Sequence, residues 1–282
     1  MQVVFYIVGE ILVEHIYRTV VGGIWRKFQI NTNVFIDAWV GEGCFLAAAV
    51  TTIIIVSRFS PSRKLYVYKG PVLNTIAGIS IGLIVGFSLK AIQFQLLKHF
   101  DTSIYYITDT KPYFPAANEA IYCLAVAVTE ETAFRAYLFP HIEKTWGTGI
   151  ALFTTSAIFA LGHLTNQGAL SSIANLLYTL TVTFSGGLMF AACLVLTERI
   201  WMSIALHFSV NFFLSVAFGD DAVGVLPVGM MLFGQHRGDQ LSVVLNTSVS
   251  IILLGLAVRK GKWKSRASCR QDSGTATTNM AA

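Results

Sequence analysis

Ala127-Val-Thr-Glu-Glu-Thr-Ala-Phe-Arg-Ala-Tyr-Leu-Phe-Pro140 is the stretch that decides how the chain is read. It lies in an apolar run over about residues 120–139, long enough to be most of a bilayer-crossing helix. Two adjacent carboxylates and an arginine are costly there, at ~2.5–3.5 kcal/mol for each ionised group near the bilayer centre. On a helix Glu131 and Arg135 stand four residues apart and can pair. Glu130 is turned by about 100° from Glu131 and cannot share that arginine equally well. The spacing therefore predicts one structural carboxylate and one left free. A free carboxylate inside a membrane is a functional candidate by default.

Composition agrees with lipid as the solvent. The 282 residues are 54% hydrophobic and only 12% charged, against about 25% charged in an average soluble domain. Mean hydropathy is +0.63. The net charge of +5 comes from a few basic clusters, which read as topology signals and not as a nucleic-acid footprint. Cys44, Cys123, Cys193 and Cys269 are widely spaced, with no CxxC or Cys/His pairing, and suggest neither a disulfide framework nor a zinc knuckle. Residues 3–21 carry Glu10 and Glu14 and lack a basic leading region and a small-residue cleavage site, so no cleavable signal peptide is expected.

Further apolar segments are expected over residues 39–56, 72–97, 148–163, 173–196, 201–218 and 241–258, with loops over 98–118 and 219–240. Gly78, Gly82 and Gly86 recur at four-residue spacing, which permits close helix contact, and Lys90 and Gln93 interrupt the same segment late. The helix carrying Glu130 is expected to stop near Pro140. Residues 3–21 have two readings, an interfacial helix or a spanning one, because Glu10, Glu14 and Arg18 draw a polar stripe along one face. The fold class is thus all-α, a polytopic membrane helix bundle of about seven or eight spans. The basic loop at 57–70 and the basic tail from Arg259 flank an even number of segments, so one topology places both in the cytoplasm. The tail from residue 261 to 282 is polar, basic and expected to be disordered.

Two more polar patterns interrupt apolar runs. Phe159-Ala-Leu-Gly-His163 ends one segment in a histidine. His207-Phe-Ser-Val-Asn211 puts an imidazole and an amide on one helix face. Singly, each has a packing explanation. Together, a carboxylate, two imidazoles and an amide contain what amide hydrolysis needs: a base to activate water and donors for the developing oxyanion.

Glu130-Glu131-x-x-x-Arg135, Phe159-x-x-x-His163 and His207-x-x-x-Asn211 resemble the three motifs of the CAAX protease and bacteriocin-processing (CPBP, Abi) family of intramembrane proteases, related to the prenyl-protein (Ras-converting) endopeptidase. Phe134 to Leu138, Gly186-Gly187 and the run from Trp201 to Leu206 extend the likeness, with Ala136 where that family usually has glycine. The resemblance covers about residues 119–213. It implies a CPBP-like catalytic core over 115–218; the hydropathy pattern sets N-terminal membrane helices and loops over 1–114 before it and a loop and last membrane helix over 219–260 after it. It implies Glu130 as general base assisted by His163, and His207 and Asn211 as oxyanion donors. It further implies Glu131 and Arg135 as support for the first glutamate, and Phe159 lining the site.

The expected activity is an intramembrane endopeptidase acting on a membrane-associated protein or peptide. A non-catalytic immunity or scaffold protein of the same fold and a proton-coupled transporter are the alternatives. No cofactor is favoured. Zn²⁺ stays open, with Glu130, His163 and His207 as its ligands. Expected partners are the lipid bilayer and a membrane-bound protein or peptide substrate, with no nucleic acid. The expected location is an integral multi-pass protein of the plasma (inner) membrane with its C-terminal tail in the cytoplasm.

Overall fold

The computed structural model describes residues 71–100, 114–165, 169–218 and 235–265. The expected segments at 3–21 and 39–56, the basic loop at 57–70 and the tail beyond 265 lie outside the described residues. Those described are helical, with no strand among them: α1 (Val72–Phe100), α2 (Phe114–Glu131), a π-helical segment (Thr132–Leu138), α3 (Phe139–Trp146), α4 (Thr148–Gly162), α5 (Ile173–Thr197), α6 (Trp201–Phe218) and α7 (Gln235–Arg259). Three helices are long and apolar enough to cross a membrane by length and composition, over Val72–Leu96, Ile173–Thr197 and Leu241–Arg259. Thr148–Gly162 and Trp201–Leu214 are shorter apolar helices. The expected seven or eight spans are therefore not reached among the described residues.

Several boundaries differ from the sequence reading, α1 running on to Phe100 among them. Helix α2 begins at Phe114 and α7 at Gln235, inside stretches expected to be loops. Helix α7 opens on the polar run Gln235 to Gln240, invisible to an apolar scan, and α2 opens on Phe114-Pro-Ala-Ala117, where Pro115 suits a first turn. Pro140 does not end its helix. A π-helical segment, with i→i+5 hydrogen bonds, follows Glu131, and Pro140 sits in the first turn of α3, directly after that widened turn. Residues 261–265 are docked, contrary to the expectation for the tail. Helix α7 closes in a Schellman motif: Lys262 N–H donates to Ala257 O at 2.9 Å and Gly261 N–H to Val258 O at 3.0 Å, with Gly261 at φ +66°. The chain then runs to Thr148, whose N–H donates to Lys264 O at 3.0 Å while its Oγ1 accepts from Lys264 N–H at 3.0 Å.

The core gathers Leu89 of α1, Phe159 of α4, Met189, Phe190 and Cys193 of α5, Met202, Leu206 and Val210 of α6, and Leu253 of α7. The glycines of α1 make this close. A Cβ on Gly82 would fall 2.6 Å from the backbone oxygen of Met202, and one on Gly86 would collide with the Ser209 hydroxyl. Lys90 and Gln93 are buried and tie α1 to α7: Lys90 Nζ donates to Gln93 Oε1 at 2.8 Å, and Gln93 Nε2 donates to Ser242 Oγ at 2.6 Å. Helix α5 starts at Ser172, whose hydroxyl caps Asn175 N–H at 3.1 Å, and ends at Glu198 in the left-handed region, φ 55°.

Candidate active site

The last turn of α2, the π segment, the middle of α5 and the first half of α6 meet around Glu131. Its carboxylate is fully buried. Oε1 lies 3.2 Å from an Arg135 guanidinium nitrogen and 2.9 Å from His207 Nδ1, and Oε2 accepts the Ser203 hydroxyl. Ser203 Oγ also lies within hydrogen-bonding distance, 2.9 Å, of Phe190 O. Arg135, equally buried, donates to Gly187 O at 2.9 Å. Its guanidinium carbon lies 4.7 Å from the Phe159 ring centroid, 5.5 Å from Phe190 and 5.7 Å from Phe134, so aromatic faces supply the rest of its surroundings. The expected pairing of Glu131 with Arg135 is present; the carboxylate's remaining lone pairs are used, whereas Arg135 Nε and Nη1 have no hydrogen-bond partner among the described residues.

Glu130 is different. Its side chain keeps 22% of its surface exposed, and its Oε2 is 3.7 Å from His207 Nε2. That oxygen is buried without a hydrogen-bond partner among the described residues. One imidazole therefore stands between two carboxylates: Nδ1 is held by the satisfied glutamate, and Nε2 is turned towards the unsatisfied one. Phe190 stacks flat on this ring, centroids 4.3 Å apart and planes 13° apart, and Phe159 meets it edge-on at 6.1 Å. The imidazole is clamped in plane and in azimuth.

The other expected residues are placed less tightly. His163 is half-buried at the end of α4. Its Nδ1 hydrogen-bonds Phe159 O at 2.8 Å, and its ring lies 4.5 Å from Phe159. Phe159 thus bridges the two histidines. Asn211 is half-buried one turn beyond His207, and no hydrogen bond among the described residues links it to Glu130, His163 or His207. Glu130, His163 and His207, the set that zinc would need, are not drawn together: among the described residues no three His, Cys, Asp or Glu side chains stand close enough to hold a metal ion.

Two members of the site escape the sequence reading. Ser203 had a usable signal, since Ser203, His207 and Asn211 recur every four residues along one face of α6. Phe190 had none, because an aromatic in an apolar helix reads as core. Gly187 enters only through the resemblance. Its role here is a carbonyl for Arg135 and a bare α-carbon, since a Cβ would come within 3.1 Å of Ser156 Cα.

Residues 113–213, a little over a third of the chain, match the family model described as type II CAAX prenyl endopeptidase Rce1-like. The match spans α2 to the middle of α6, which contains every residue named above. The chain carries an Rce1-like domain over those residues. No curated protein matches the chain. With the apolar helices, the match supports an integral membrane protein, a peptidase, and a protein substrate.

Proposed function

We propose that the chain is an intramembrane endopeptidase of the CAAX-protease type, in which Glu130 activates water against a peptide bond of a membrane-associated protein or peptide. The observation that carries this is the unequal treatment of two neighbouring carboxylates. Glu131 is saturated by Arg135, His207 and Ser203, whereas a buried oxygen of Glu130 lacks a partner. A water on that oxygen gives its proton to Glu130 as it attacks the scissile carbonyl. His207, anchored at Nδ1 by Glu131, directs Nε2 at the oxyanion as one donor, and Asn211 supplies a second. His163 assists the base from across Phe159. Collapse of the tetrahedral intermediate returns the proton from Glu130 to the leaving amine. No step requires a metal. The protein sits in the plasma (inner) membrane with its C-terminal tail in the cytoplasm.

Comparing membrane peptidomes of cells carrying the native chain or Glu130→Ala tests this directly. Peptides released by the native chain should be missing from the variant at equal membrane abundance. Identical peptidomes would leave the scaffold reading standing. Activity that 1,10-phenanthroline abolishes and Zn²⁺ restores would overturn the metal-free mechanism.

A further inference from the structure

We propose that the end of the bundle where the α3–α4 turn, the α5–α6 turn and the segment after α7 converge is a binding surface for anionic phospholipid headgroups. Two candidate spans, α5 and α7, finish at this end, at Thr197 and Arg259. It is therefore a membrane–water boundary for both. The turns are drawn together by residues 261–265, through the paired hydrogen bonds of Lys264 with Thr148 and the packing of Trp263 beside Gly149, where a Cβ would come within 3.2 Å of the indole.

The charges at this end do not cancel. Glu143 and Glu198 are its only acids among the described residues. Lys262 takes Glu198 at 2.5 Å and Lys264 lies 3.7 Å from Glu143. Lys144, Arg259 and Lys260 are exposed and make no ion pair among the described residues. Arg199, in the α5–α6 turn, is half-buried, and its Nη1 is shielded from solvent without a hydrogen-bond partner among the described residues. Two indoles flank these cations, Trp146 at 46% and Trp263 at 42% exposure. Exposed Trp at the level of Lys and Arg is the composition that settles at lipid headgroups, where the ring takes the acyl boundary and the cation takes phosphate.

The test uses the full chain in mixed micelles of uncharged detergent, titrated with phosphatidylglycerol or phosphatidylcholine and read by native mass spectrometry. Phosphatidylglycerol should be retained at lower concentration than phosphatidylcholine, and added salt should release it. The triple variant Lys144→Gln/Arg259→Gln/Lys260→Gln should weaken that retention roughly a hundredfold and leave phosphatidylcholine unchanged. Lys144→Arg/Lys260→Arg keeps the charge and should bind like the native chain, which separates lost charge from lost folding. Glycerol phosphate at matched concentration should not displace the lipid. Equal retention of the two lipids, retention unaffected by the triple variant, or displacement by glycerol phosphate would overturn the proposal. None of these readouts depends on peptidase activity.

Discussion

Glu130 and Glu131 differ by one position and by nearly everything in their surroundings, so the same substitution should act on different quantities at the two sites. Glu131→Gln leaves the fully buried Arg135 guanidinium without a carboxylate. Breaking one side of a buried pair costs ~3–5 kcal/mol, and thermal unfolding in detergent should show a large fall in midpoint. Glu130→Gln removes no salt bridge to Arg135. Its unfolding midpoint should stay near that of the native chain while peptide release stops. If Glu130→Gln were the more destabilising of the two, the division between a structural and a free acid would be wrong. Ser203→Ala is a third case. It removes a hydrogen bond to a charged group, worth ~1.5–3 kcal/mol, and slackens the carboxylate that holds His207 Nδ1, so turnover should fall with Glu130 untouched; Ser203→Thr, which keeps the hydroxyl, should recover part of it. At this scale much was legible in the sequence. The four-residue spacing of Glu131 and Arg135 in an apolar run announces a pair, because a charge there must be answered. What answers it from other helices, the Ser203 hydroxyl and the Gly187 carbonyl, follows from packing and has no local signature. The Phe190 ring over His207 is equally silent.

Among the elements, α1 offers the cleanest contrast. Its three glycines look equivalent in sequence, at one spacing on one face, but they meet α6 at different separations. A methyl at Gly78 would find its nearest neighbours at 3.7 to 3.9 Å, ordinary contact. At Gly82 it would fall 2.6 Å from Met202 O and 2.8 Å from Ala205 Cβ, and backbone cannot step aside. Gly78→Ala should leave the unfolding midpoint within experimental scatter or raise it, since alanine is the better helix former. Gly82→Ala should lower it by an overpacking cost of ~1–3 kcal/mol. At Gly86 the obstacle is the Ser209 side chain, so Ser209→Gly should rescue Gly86→Ala; no neighbouring truncation should rescue Gly82→Ala. The spacing of the glycines predicts a close helix contact, and the contact is there. The relative tightness of each crossing depends on helix rotation, which spacing alone does not specify. The π segment is hidden as well: nothing in the order of residues from Thr132 to Leu138 marks a turn with i→i+5 hydrogen bonds.

For the whole molecule, the family match and the core have different limits. The matched residues stop at 213, yet the core around Phe159, Phe190 and Leu206 is closed by Leu89 of α1 and Leu253 of α7. The flanking helices are therefore part of what holds the site, and residues 113–213 alone should fail to give a cooperative unfolding transition. The segment after α7 closes the opposite side. Its composition is that of a tail, because nothing in Gly261-Lys-Trp-Lys264 resembles an element; its order comes from partners more than a hundred residues away, at Thr148 and Gly149. Ending the chain after Lys260 removes the two hydrogen bonds between Lys264 and Thr148 and the contacts of Lys262 with Glu198 and Lys264 with Glu143. The hydrogen bonds contribute ~0.5–1.5 kcal/mol each and the part-exposed ion pairs ~0.2–1 kcal/mol each, so the truncated chain, which also loses the bonds of Gly261 and Lys262 to the end of α7, should lose at least about 2 kcal/mol. Ending it after Ser265 removes none of them and should keep their contribution. Peptide release should survive both truncations, since neither removes a group from the cluster around Glu130. Equal midpoints for the two truncated chains would mean that residues 261–265 rest against the bundle without holding it.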